Sequence, residues 1–157
     1  MSLEKNNQVH QTELPLEISS LLATQKLAVL ATHSHGQPHA SLVAFTATAD
    51  GREILFATTR TSRKYANLQQ DPRAALLLDS RSQREADFHE AKALAAKGRV
   101  REITGPQRDT LAALFLSKHL HLREFIGSPS CALMALQVQV YELASRFQQV
   151  LTYRFLP

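Results

Sequence analysis

The sequence predicts a mainly β domain, an antiparallel barrel of six or seven strands with short helices packed outside it. Apolar runs of strand length recur from residue 26 to the end of the chain. Two of them are joined by Asp50-Gly51, the strongest short hairpin signal a sequence offers. Helical spacing is confined to brief segments that do not alternate with the strands as a doubly wound parallel sheet would require.

Residues 1–15 lack apolar periodicity and read as a flexible tail, which leaves residues 16–157 as one domain. Leu16, Ile18, Leu21 and Leu22 then recur at helical spacing between Pro15 and Gln25. Lys26 to His33 (KLAVLATH) is short, apolar and bounded by the turn-rich SHGQP, hence a strand. Pro38 to Ala49 continues as a second strand up to Asp50-Gly51, and Glu53 to Thr58 returns as the third. Thr61 or Ser62 caps a helix with Tyr65 and Leu68 on its apolar side, which Asp71-Pro72 ends. Arg73 to Asp79 is a buried strand. Ala91 to Ile103 is open between helix and strand at its start and alternates around Gly98 in its second half.

Gln107 to His119 places Leu111, Leu114, Phe115 and Leu120 on one helical face, and Leu122, Phe125 and Ile126 begin a further turn ended by Gly127. Ala135 to Leu143 alternates as a half-buried strand, and Phe147 to Phe155 makes the last one. The segment between the fourth and fifth strands, residues 79–91, is a polar insert.

Composition narrows the function class. With 44% hydrophobic and 20% charged residues, the chain matches neither a disordered nor a membrane-spanning protein. No apolar run nears the roughly 20 residues that span a bilayer. The 18 Lys and Arg are scattered among 14 acids, so the net charge of +4 describes solubility before it names a nucleic-acid ligand. One cysteine, Cys131, excludes an intramolecular disulfide and a thiolate-only metal site. With no apolar stretch like a secretion signal near the start, a cytoplasmic location is expected.

The most informative segment is ATTRTSRKYANL, residues 57–68. Thr58, Thr61 and Ser62 gather with Arg60, Arg63 and Lys64 where a strand turns into a helix. A helix start offers free N–H groups and partial positive charge, and Arg and Lys add charge-assisted hydrogen bonds, so a phosphomonoester site is one reading. A capped helix with a solvated basic face is the other, and the residues alone leave both open. There is no glycine-rich nucleotide loop.

Strand, Asp-Gly hairpin, strand and then TRTSRKYANLQQDPRAALLL resembles the flavin-binding split-barrel family related to pyridoxamine 5'-phosphate oxidase. The likeness runs from about residue 17 to the C-terminus and includes FLSKHLHLREFIGSPSCALMALQVQVYELASRF. It implies a split barrel that binds flavin mononucleotide (FMN), with Ser62, Arg63 and Lys64 on the phosphate and Thr58 near the phosphate or ribityl chain. It further implies backbone contacts to the flavin ring near Ser41 to Ala44, Ser41 and Val43 among them, and Arg154 as an arginine touching the flavin. A homodimer with two interfacial sites is implied too, and Arg81, Ser82 and Gln83 of the insert are placed to reach a flavin across that interface.

Departures from the family pattern argue against a true pyridoxamine 5'-phosphate oxidase. Ala40 and Ser41 stand where an early arginine is expected, Val150 and Thr152 replace the C-terminal Arg-x-His, Ala93 falls near the family's glutamine position, and the chain has no tryptophan. The expected activity is therefore an FMN-dependent oxidoreductase of an unidentified small molecule. The alternative is a non-catalytic flavin or haem carrier or sensor on the same barrel, and a basic nucleic-acid-binding domain is a distant third. No catalytic residue is assigned, because no Ser-His-Asp or Cys-His arrangement has supporting spacing.

The histidines are assigned to no metal. His33, His35 and His39 straddle a turn without partners, and His119 and His121 read as exposed residues at a helix C-terminus. Cys131 reads as a small buried apolar side chain.

Overall fold

A computed structural model describes residues 13–146 and 149–156. Seven strands form one antiparallel sheet: β1 (Leu27–Ser34), β2 (Gln37–Ala47), β3 (Glu53–Thr59), β4 (Arg73–Asp79), β5 (Ala93–Glu102), β6 (Cys131–Ser145) and β7 (Gln149–Arg154). Their order is β3-β2-β1-β4-β5-β6-β7, and an additional β3–β6 pairing closes the first six into a barrel. The helices are α1 (Leu16–Thr24), α2 (Arg63–Gln70), α3 (Asp87–Glu90), α4 (Gln107–Lys118) and α5 (Arg123–Gly127), with a 3-10 turn at Leu120–Leu122. This is the expected mainly β split barrel with short flanking helices. Of the expected tail, residues 1–12 lie outside the described residues, while Leu14 packs against the core.

Two hairpins assemble the first wall. Ser34 pairs with Gln37 around His35 and Gly36, both at positive φ. At the second, Asp50 Oδ1 accepts from Thr48 Oγ1 (2.7 Å) and from the Arg52 N–H (3.0 Å). Gly51 takes φ +69° there, which favours glycine. Tyr141, fully buried, donates its hydroxyl to Gly51 O at 2.7 Å and ties that turn to β6.

The core has two parts. Inside the barrel Leu30, Phe45, Ile54, Phe56, Leu76 and Leu94 meet, and α1 plugs one end with Ile18, Leu21 and Leu22. Outside, the other faces of β3 and β6 pack Leu55, Leu133 and Ala135 against Phe115 and Ile126 of α4 and α5.

The first half of β6 is consequently buried on both faces, from Cys131 to Leu136. This explains why the strand expected from Ala135 begins at Cys131: with both faces covered, the period-two alternation that marks a half-buried strand is missing. Cys131 is itself buried, as expected.

Three other expectations are refined. The open start of the Ala91–Ile103 segment is strand from Ala93. The polar insert contains the short helix α3, which local composition did not reveal. Phe147 and Gln148, expected at the start of the last strand, lie outside the described residues. Among the described residues no helix is long and apolar enough to cross a membrane.

Candidate functional site

The barrel is split where β2 and β3 part. Their ladder holds only Phe45↔Phe56, Thr46↔Leu55 and Ala47↔Ile54, whereas β2 stays paired with β1 out to Gln37 and β3 with β6 out to Thr59. Phe45 donates its N–H to Lys26 O at 3.3 Å, toward β1. By the alternation of an antiparallel ladder, the backbone groups of Ala44 face β3 at the ladder's last pair, and the N–H and C=O of Leu42 point the same way beyond it, into the gap. On the facing strand Arg60 donates its N–H to Ser130 O at 3.1 Å, so Ala57 and Thr59 likewise face the gap, although Thr59 O already accepts the Ser62 N–H at 3.1 Å and the Thr58 hydroxyl at 3.2 Å. Two strand edges thus offer unpaired polar groups to one space.

That space is a cleft of about 310 Å³. Leu42–Ala44 form one wall, Ala57–Thr59 the other, Lys64 stands at the end where α2 begins, and Phe115, Leu122 and Phe125 supply apolar lining from the helical layer. The helical apolar spacing marked these last residues as packing positions. Nothing local announced that they line a cleft, because that depends on where β2 and β3 separate.

Ser62 caps α2 by accepting the Tyr65 N–H at 3.2 Å, and its Oγ lies 2.6 Å from Thr58 Oγ1. The cap expected at Thr61 or Ser62 is therefore Ser62, and the buried Thr58 braces it from the strand. Lys64 is half-buried and Arg63 exposed, and among the described residues neither makes an ion pair. The three cations of this segment do not converge. Arg60 turns away to Pro129 O (2.8 Å) and Glu102 Oε2 (3.0 Å), which leaves Lys64 as the cation in the cleft.

Of the other residues singled out, Val43 lines the cleft through its strand. Ser41 alternates with Leu42 to the opposite face, and its enclosed Oγ has no hydrogen-bond partner among the described residues. Arg81, Ser82 and Gln83 lie on the exposed β4–β5 connection, outside the cleft of their own chain. Their local bonds shape that loop: Arg81 pairs with Asp79 at 3.1 Å, and the Ser82 and Gln83 N–H groups donate to Asp87 Oδ2 at 2.7 and 2.6 Å. Arg154 is exposed on β7, again outside the cleft, with Val150 exposed and Thr152 half-buried on the same strand.

The expectation for His119 is corrected. It is 2% exposed, because the chain after α4 folds back under β2, and its Nε2 lies 2.7 Å from Phe45 O. Burial, the largest influence, lowers its pKa, and the charge on Lys118 adds to this against the bond to Phe45. Lys118 itself lies 4.1 Å from the Phe45 ring centroid and donates to Leu22 O at 2.9 Å. His121 is exposed, as expected. His33 pairs with Asp71 at 2.8 Å, and among the described residues no group of three or more His, Cys, Asp or Glu is arranged to hold a metal ion.

Comparison with known proteins bears on this arrangement. The profile of a family described as pyridoxamine 5'-phosphate oxidase matches residues 14–143. A Schizosaccharomyces pombe protein described as a pyridoxamine 5'-phosphate oxidase homolog is 36% identical over 74 residues, 42% of this chain and 39% of that one.

Among solved structures, a heme binding protein from Mycobacterium smegmatis superposes with a TM-score of 0.78 at 18% identity, covering 88% of this chain and 56% of the other. An FAD-binding protein from Mesorhizobium loti gives 0.66 at 14% identity, covering 82% and 90%. General stress protein 26 from Bacillus anthracis gives 0.66 at 20% identity, covering 88% and 96%. At these identities the structural likeness is one of fold. The matched region spans about two fifths of the yeast relative and just over half of the mycobacterial one.

Proposed function

The chain belongs to the pyridoxamine 5'-phosphate oxidase family, and on that premise we propose that it is an FMN-binding flavoprotein, an oxidoreductase acting on a small molecule. The observation that carries this reading is the split itself: backbone groups of Leu42 freed along β2 beyond the Phe45↔Phe56 pair, beside a cleft whose far end holds Lys64 and the capped start of α2. A planar heteroaromatic ring with hydrogen-bonding edges suits the freed strand edge and the apolar lining. A phosphomonoester suits the helix start and the cation. The residues present therefore fit the cofactor, with Lys64 and the first turn of α2 at the phosphate and Leu42–Ala44 along the ring. Among the described residues no histidine lines the cleft, which favours flavin over a haem needing an axial imidazole from this chain.

When bound, the flavin supplies hydride or electron transfer. The chain's own work is to bind and orient it: Lys64 neutralises phosphate charge, the strand edges set the plane of the ring, and Phe115, Leu122 and Phe125 keep water from one side of the cleft.

A homodimer is part of the same proposal. On the outer face of the barrel Leu42, Val29, Leu77 and Ala95 stand in one cross-strand row, with Leu27 beside them. Leu42 is 64% exposed, Leu77 45% and Leu27 53%, a contiguous apolar face that a single copy leaves to water. Leu42 belongs both to this row and to the cleft, so a second copy seated there also closes the site. The substitution Leu77→Lys is expected to yield monomers in sedimentation analysis and to weaken flavin retention; a dimer of unchanged stability would remove this face from the proposal.

The decisive experiment is mass spectrometry of the small molecule released on denaturation, followed by titration with FMN and riboflavin. Release of FMN and a clear preference for it are expected. Equal affinity for the two flavins would refute the phosphate assignment. Pyridoxamine 5'-phosphate is not expected to be turned over efficiently, since Val150 and Thr152 offer neither cation nor imidazole.

A further inference from the structure

Outside the cleft, three side chains close a hydrogen-bonded circuit around the turn that carries Lys64. Arg60 donates to Pro129 O at 2.8 Å and Cys131 O at 3.2 Å, and its other terminal nitrogen donates to Glu102 Oε2 at 3.0 Å. Tyr65 donates its hydroxyl to the second oxygen, Glu102 Oε1, at 2.7 Å. The N–H of this same Tyr65 is the one that Ser62 caps. Glu102 ends β5, Arg60 follows β3 and Pro129 leads into β6, so one carboxylate fastens the start of α2 to three strands.

An eight-residue helix is too short to hold its own first turn in water, and any ordering left until a ligand arrives is subtracted from affinity. The circuit removes that cost in advance. Burial pushes the Glu102 carboxyl up, but hydrogen bonds from Tyr65 and Arg60 and the charges of Arg60 and Arg108 outweigh it and hold the group below its ordinary value. Both oxygens thus accept bonds from Arg60 and Tyr65, and none of the three side chains lines the cleft.

We propose that Glu102 is a positioning residue, which with Arg60 and Tyr65 presets the first turn of α2 so that Lys64 and the turn's free N–H groups meet a flavin phosphate without rearrangement. This rests on the flavin reading above, and its test separates the two. The ligand-free protein is examined by hydrogen–deuterium exchange over residues 62–66, and FMN and riboflavin dissociation constants are measured for wild type, Glu102→Gln, Tyr65→Phe and Lys64→Ala.

Faster exchange at the start of α2 is expected in Glu102→Gln and Tyr65→Phe, together with a preference for FMN over riboflavin reduced about 5- to 30-fold, less than the loss of a whole charge-assisted hydrogen bond. Tyr65→Phe deletes a single hydroxyl and decides the matter if Glu102→Gln does not fold. Unchanged exchange, or equal weakening of both flavins, overturns the positioning role. A preference for FMN that survives Lys64→Ala overturns instead the phosphate reading on which it depends.

Discussion

The two sides of this barrel are built on opposite principles. On one side β6 is paired along almost its whole length, with β5 on one edge and with β3 and then β7 on the other. On the far edge of β3, β2 and β3 share three residue pairs and then separate. Backbone hydrogen-bonding capacity is largely used in the first region and left over in the second. The comparison teaches where each property resides: register and stability belong to β5–β6, and recognition belongs to the β2–β3 gap, where the unpaired groups are held apart by strands that are anchored elsewhere.

The strongest way to break the closed side is Gly98→Ala. The β5–β6 register shifts between Lys97 and Gly98, and a Cβ on Gly98 would lie 1.9 Å from Gln137 O. Backbone cannot swing aside as a side chain can, so a loss of about 3 kcal/mol in urea unfolding is expected. A loss within the scatter of surface substitutions would mean that the bulge is freely adjustable.

The open side should respond in the opposite sense. Lys64→Ala is expected to leave the unfolding midpoint near wild type while costing about 1.5 to 3 kcal/mol of FMN affinity, the worth of a hydrogen bond to a charged group. Arg63→Ala should cost less, because Arg63 is exposed outside the cleft. Added salt should weaken wild-type binding more than that of the Lys64 variant. Equal losses from the two alanine substitutions would place the phosphate on the exposed face of α2 rather than in the cleft.

A smaller effect sharpens the comparison at the base of the open side, where Lys118 sits over Phe45. Burial, with the nearby charge of Lys26, lowers its pKa from 10.5 to about 8. Between those values the unfolded chain binds more protons than the folded one, so wild-type stability should rise with pH from about 8 to 10.5 relative to Lys118→Met. Below pH 8 the difference should be constant. Denaturant midpoints of both proteins at pH 7, 9 and 10.5 check this, and parallel profiles would show that Lys118 keeps its charge at no cost.

Local chemistry explains which parts of the molecule are legible in its sequence. The Asp50-Gly51 hairpin, the Ser62 cap and the Asp71-Pro72 stop each involve residues within a few positions of one another, so the chain specifies them wherever it folds. The family pattern rests on such local signals in a set order, and the barrel and the Ser62-capped start of α2 follow from them. Other features escaped for a common reason. Cys131–Met134 lost its strand signature because a helical layer covers its second face, and His119 read as exposed because only the fold brings it beneath Phe45.

The sequence by itself determined most of the elements, their order and the cluster of hydroxyls and cations at the start of α2. Tertiary structure alone decided that β2 and β3 part after Phe45↔Phe56 and that, of three neighbouring cations, Arg60 turns to Glu102 while Lys64 enters the cleft. Strand separation depends on which distant edges compete for pairing, and the direction of a charged side chain depends on which distant acceptor lies within its reach. Glu102 is 42 residues from Arg60 in the chain, a distance over which no local pattern carries information.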